Sequence, residues 1–109
     1  MDLLGLASCD TCRTARKALE ASGRDVAFRD IRADPLPPAE IASLLAAHGD
    51  ALLNRKSTTW RNLPEAERSE DPAALLARYP ALMKRPVIRE GGTSYLGWTA
   101  EVRAALGLD

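Results

Sequence analysis

Cys9 and Cys12, separated by two residues in Ser8-Cys9-Asp10-Thr11-Cys12-Arg13, are the only cysteines of this chain. Before them comes the apolar run Leu3-Leu4-Gly5-Leu6-Ala7, and after them a helical pattern rich in Ala, Leu, Arg and Lys, from Thr14 to Ala21. A Cys-x-x-Cys placed where a strand hands over to a helix is a redox signature. The reactive form of cysteine is the thiolate, and a helix N-terminus stabilises it with unpaired N–H groups and the positive end of the helix dipole. Arg13 and Arg16 add positive charge on the first turns, whereas Asp10, beside Cys9, disfavours an anion. The sequence therefore predicts a Cys9 pKa that is lowered but not extreme.

Other uses of the two thiols are weighed by the same chemistry. A structural disulfide over so short a loop removes little unfolded-state entropy. A structural zinc site needs four ligands, and only His48 is left to join two cysteines, so no metal is expected. Two inert thiols buried in a core remain the plain alternative.

A second polar cluster lies in Leu52-Leu53-Asn54-Arg55-Lys56-Ser57-Thr58-Thr59-Trp60-Arg61. It reads as a loop, and loops dense in arginines and hydroxyls supply anion-binding groups. Arg55, Thr59 and Arg61 are its candidate ligand contacts; a solvated loop anchored by Trp60 is the alternative. His48 could act as a general base, but beside Gly49 it reads more simply as the end of a helix.

The elements that must hold these residues are legible as patterns. Residues 2–7 read as a short buried strand, weakened by Gly5, residues 10–22 as a helix stopped by Gly23, and residues 26–31 as a second strand. That order is a βαβ unit with parallel strands and a right-handed crossover. Asp34-Pro35-Leu36-Pro37-Pro38 is a rigid connector. Helices are expected at 39–47, about 62–69 and 72–79, the last opened by Asp71-Pro72. A strand starting at Val87, a turn at Glu90-Gly91-Gly92-Thr93, a return strand at 94–98 and a helix at 99–106 complete the chain. The fold class is α/β with a mixed sheet: a thioredoxin-like βαβ…ββα core over about 1–33 and 82–109, with a helical insertion over about 34–81. At 109 residues one domain is expected. A net charge of zero argues against electrostatically driven binding of nucleic acid. No apolar run reaches the length of a membrane span, and no secretory signal is visible. Paired cysteines without a targeting segment fit a cytoplasmic location.

Taken together these motifs resemble the ArsC/Spx superfamily, and within it the small YffB-like thiol reductases. The resemblance runs nearly end to end and rests on Ser8-Cys9-Asp10-Thr11 with Arg13, on Leu52-Leu53-Asn54-Arg55 with Thr58-Thr59-Trp60-Arg61, and on Lys84-Arg85-Pro86-Val87. It implies that Cys9 is the nucleophile and that Arg55 and Arg85 hold an oxyanion, or a thiol partner such as glutathione, over its sulfur. Arg13, Thr59, Arg61 and Pro86 fall in the same motifs as substrate contacts. The resemblance also implies a cis peptide bond at Arg85-Pro86, beside the cysteine loop. The implied activity is thiol-dependent reduction, with no bound cofactor and with glutathione or a protein thiol as reductant. Cys12 would resolve an adduct formed on Cys9. The other implied activity is that of a Spx-like regulator that binds the RNA polymerase α-subunit, its interface switched by Cys9–Cys12 oxidation. Arsenate reductases of the superfamily carry a further arginine in the last hairpin; here Gly92-Thr93-Ser94-Tyr95-Leu96 has none.

Overall fold

Leu3 and Leu4 are both fully buried, so strand β1 (Asp2–Gly5) is covered on both faces and can only be an inner strand. The computed structural model describes residues 1–108. Its sheet has the order β2-β1-β3-β4, with β2 at Ala27–Asp30, β3 at Val87–Glu90 and β4 at Thr93–Leu96. β1 runs parallel to β2 and antiparallel to β3, and β4 returns antiparallel to β3. The second inner strand follows the same logic, since Val87 and Ile88 are fully buried while the edge strands β2 and β4 are only partly covered. Gly91, with φ of 61°, makes the hairpin turn between β3 and β4.

Helix α1 (Asp10–Ala21) crosses from β1 to β2 and buries Cys12, Ala15 and Leu19. These three join Leu3, Val26, Ile88, Val102 and Leu106 in one core, with Cys9, Phe28, Tyr95 and Trp98 packed against its margin. The last helix, α6 (Ala100–Ala105), is capped by Thr99, whose hydroxyl accepts the Val102 N–H at 3.2 Å. The mixed α/β sheet and thioredoxin-like order expected from the sequence are thus present.

The chain forms two compact units: Met1–Ile31 together with the stretch from Arg85 onward, and Arg32–Lys84. The second unit contains α2 (Pro38–His48), α3 (Thr58–Arg61), α4 (Glu65–Arg68) and α5 (Pro72–Arg78), with 3₁₀ turns at Gly49–Leu52 and Pro80–Leu82. Pro38 and Pro72 open α2 and α5, where a missing N–H costs nothing. Helices α2 and α5 pack together, and Arg78 bridges Glu67 and Glu70 at 2.9 and 3.2 Å. Two segments of this unit pair through Leu53 and Met83, flanked by Asn54 N–H to Leu82 carbonyl at 2.8 Å and Lys84 N–H to Leu52 carbonyl at 2.7 Å.

Several expected boundaries shift for local reasons. The first strand stops at Gly5 because the Leu6 carbonyl accepts the Cys9 N–H and turns the chain. The second and fourth strands shorten to Ala27–Asp30 and Thr93–Leu96. The helix expected at 62–69 is confined to Glu65–Arg68, with Pro64 as its N-cap. The stretch read as a loop at 52–61 ends instead in a turn of helix, because the Ser57 hydroxyl accepts the Trp60 N–H at 3.1 Å and caps it.

Candidate active site

The cysteine loop is built from backbone bonds and two charged side chains. The Leu6 carbonyl accepts the Cys9 N–H at 3.0 Å, and the Cys9 carbonyl accepts the Arg13 N–H at 3.1 Å, the first bond of α1. The register Gly5↔Asp30 brings Asp30 to the end of β1, where its carboxylate accepts the Ala7 N–H at 3.0 Å. From the helix side, Arg13 donates to the Ala7 carbonyl at 3.1 Å and pairs with Asp10. The loop is therefore pinned at Ala7 through both its N–H and its carbonyl. Cys9 occupies the N-cap with extended φ and ψ of −86° and 118°. The sulfur stays available for chemistry, and the residue is partly exposed.

Cys12 is placed quite differently. It is 1% exposed and its sulfur lies against strand β1, close enough to Gly5 that no side chain could stand there. Burial pushes the Cys12 thiol up, the Leu6 backbone pulls it partly back, and the neighbouring Cys9 sulfur raises it again, so it titrates at about 11. Cys9 shifts the other way. Its partial burial raises it, but hydrogen bonds from the Cys12 N–H and thiol, with the Arg85 guanidinium, outweigh that and lower it below the ordinary thiol value. Of the two thiols, Cys9 is thus the one that ionises more readily, and Cys12 the one that keeps its proton.

Arg85 is the cation of this site. It stands one residue before Pro86, through the cis Arg85-Pro86 bond, and leads into β3. Its Nε is buried, and its guanidinium is one of the groups that lower the Cys9 thiol. Pro86 is fully buried, and its carbonyl accepts the Gly97 N–H at 2.8 Å.

The other candidates are each described within their own unit. Arg13 and Arg16 do not supply the charge that the sequence suggested: Arg13 pairs with Asp10 and Ala7, which also neutralises Asp10 as an opponent of the thiolate, and Arg16 pairs with Glu20 at 3.7 Å and covers Phe28. Arg55, Thr59 and Arg61 belong to the unit Arg32–Lys84. Arg55 stacks over Trp60 and reaches Asp50 at 3.8 Å, and Arg61 donates to the Lys56 carbonyl at 2.8 Å. Thr59 lies partly buried in α3. Asp30 escaped the sequence reading altogether; the signal for it is the strand register, which no local pattern displays. Among the described residues no group of three His, Cys, Asp or Glu side chains could hold a metal ion.

Comparison with known proteins decides the family: the ArsC family model matches residues 4–106. The chain belongs to the ArsC family. A curated relative from Haemophilus influenzae, an uncharacterised protein, is 33% identical over 99 residues, covering 86% of this chain and 87% of its own. Among solved structures, the YffB (PA3664) protein is 32% identical with a TM-score of 0.86, covering 95% of this chain and 96% of its own. An arsenate reductase (ArsC) related protein from Brucella melitensis is 34% identical with a TM-score of 0.75, covering 98% and 94%. The ArsC-family fold therefore extends over almost the whole chain. No helix among the described residues is long and apolar enough to cross a membrane.

Proposed function

We propose that this chain is a thiol-dependent reductase in which Cys9 is the nucleophile, Arg85 holds negative charge at its sulfur, and Cys12 is the resolving thiol. One observation carries the reading: a partly exposed Cys9 sulfur at the entrance of α1, lowered in pKa by the Cys12 groups and by Arg85. Family membership, and a relative described as an arsenate reductase related protein, support reductive thiol chemistry.

The steps balance as thiol–disulfide exchange. The Cys9 thiolate attacks one sulfur of a small disulfide, a Cys9–substrate disulfide forms, and the other half leaves as a thiolate. Charge on Cys9 is lost at that moment, which removes one of the causes holding Cys12 protonated. Cys12 gives up its proton and attacks the Cys9 sulfur, and the bound half leaves as a thiolate that takes a proton. The Cys9–Cys12 disulfide is then reduced by two equivalents of an external thiol, for which glutathione is the class proposed. Buried as it is, Cys12 is available to Cys9 rather than to substrates from solvent.

Turnover of a small disulfide with glutathione as reductant tests this. Cys9→Ser is expected to abolish it, and Cys12→Ala to leave a mixed disulfide on Cys9 that mass spectrometry detects. Iodoacetamide is expected to alkylate Cys9 in the native protein with a midpoint below that of an ordinary cysteine, about 8.5. Undiminished turnover in Cys9→Ser overturns the proposal.

A further inference from the structure

Six partly buried side chains pack against the margin of the sheet core: Met1, Cys9, Phe28, Tyr95, Trp98 and Leu108. Register and hydrogen bonds sort them by position. Met1 precedes β1, at the end remote from the cysteine loop, where its carbonyl accepts the Ala27 N–H at 2.9 Å. Phe28 and Tyr95 stand at mid-sheet, in one row with Leu3 and Ile88, and Arg16 covers Phe28. Leu108 follows the end of α6, which Arg24 ties to Glu90 at the far end of β3. Of the six, only Trp98 lies with Cys9 at the end of the sheet where β1 gives way to α1. The register Val87↔Leu96 sets Gly97 opposite Pro86, whose carbonyl accepts the Gly97 N–H at 2.8 Å. Pro86 in turn follows Arg85, one of the groups that act on the Cys9 sulfur. Trp98 is also held in place. Gly97 turns there with φ of 83°, the Arg103 guanidinium donates to the Trp98 carbonyl at 3.0 Å, and Thr99 caps α6 directly after it. Among the described residues no large hydrophobic side chain is exposed outright, and Trp98 is half in the core and half in solvent. A ring fixed in this way offers a flat apolar face.

We infer that Trp98 is a specificity residue of this site: its indole face receives the flat apolar group carried on the sulfur that Cys9 attacks, and so selects disulfides with an aromatic substituent. The inference rests on the reductase reading. Arg85 and Trp98 then have different tasks at the exchange, the one holding charge at the sulfur, the other giving its substituent an apolar wall. Aromatic thiols are more acidic than alkyl thiols and leave faster, so a site that favours them gains in rate as well as in binding.

Alkylation of the full-length protein tests this without turnover. The Cys9 thiolate displaces iodide from iodoacetamide or from its N-phenyl analogue, and peptide mapping by mass spectrometry assigns the adduct to Cys9. The rate ratio of the phenyl reagent to iodoacetamide is expected to exceed that of a free cysteine peptide about threefold to tenfold. Trp98→Ala is expected to bring the ratio down to that of the peptide, and Trp98→Phe to keep most of the excess. A change in Cys9 acidity or in local packing moves both rates alike and cancels in the ratio, so a merely structural Trp98 would leave it unaltered. In the phenyl-alkylated parent protein, nuclear Overhauser contacts between the phenyl and Trp98 indole protons are expected, a readout that needs no variant. A parent ratio equal to that of the peptide, an excess that survives Trp98→Ala, or the absence of those contacts overturns the inference. Loss of the reductase reading shows in the turnover of Cys9→Ser and does not touch the ratio, so the two failures are distinguishable.

Discussion

A β-carbon added to Gly5 would stand 2.4 Å from the Cys12 sulfur and 3.2 Å from the Cys12 β-carbon. Neither neighbour can retreat easily, because Cys12 is enclosed by the core that also holds Leu3, Ala15 and Ile88. In the sequence Gly5 reads only as a weakness in a strand; its reason is a close approach from a helix seven residues on. Cys9, by contrast, stood out from the Cys-x-x-Cys motif at a helix start, whereas Arg85 and Pro86 came only with the family resemblance. Gly5→Ala is expected to cost about 1–3 kcal/mol of stability, as overpacked core sites do. It is also expected to slow alkylation of Cys9 at pH 7, because the displaced Cys12 thiol no longer donates to the Cys9 sulfur. Adding Cys12→Ala to Gly5→Ala makes room for the methyl group. That double variant should recover stability in denaturant titrations without recovering the alkylation rate. A Gly5→Ala protein with the parent pH profile for alkylation would refute this account of the donor.

The start of helix α1 depends on the end of strand β2. The Asp30 carboxylate meets the Ala7 N–H only because β1 and β2 run parallel in the register Gly5↔Asp30. Such a pairing cannot be read from a local pattern, whereas the elements themselves could be: Gly23, Asp71-Pro72 and Gly91-Gly92 punctuate the chain by their backbone preferences. The Thr58–Arg61 turn was missed because four residues are too few to show a helical period, and Ser57 caps it with a hydroxyl that reads equally well in a loop. Asp30→Ala removes the acceptor of the Ala7 N–H and loosens the loop that carries Cys9. The expected result is faster amide exchange at Ala7, a stability loss of about 1 kcal/mol and slower Cys9 alkylation. Asp30→Asn keeps a carbonyl acceptor and is expected to recover most of all three. Exchange at Ala7 unaffected by Asp30→Ala would show that the carboxylate does not hold the loop.

The architecture as a whole was legible because βαβ, helices, then ββα admits few topologies once crossovers are right-handed and neighbours pair. What the order of elements does not disclose is which thiol the core encloses, and that choice governs how the molecule responds to alkali. Cys12 is buried and titrates at about 11, well above an unperturbed thiol. A raised thiol pKa means that the folded state holds the proton more firmly than the unfolded state. The resulting stabilisation is fully present below the unfolded pKa and is lost as pH rises through the folded pKa. The protein should therefore lose stability between about pH 9 and 11 through this residue. Cys9, whose pKa is lowered, contributes in the opposite sense: its stabilisation is present above the unfolded pKa and disappears as pH falls through the folded one. Cys12→Ala removes the buried thiol. Its denaturation midpoint, followed by Trp98 fluorescence in a Trp60→Phe background, is expected to fall less steeply across the alkaline window than that of the parent. Trp98 packs against the core that contains Cys12, so it reports on the unit in question. Parallel pH slopes in the two proteins would place the alkaline loss on other groups and remove Cys12 as the thiol that the fold keeps protonated.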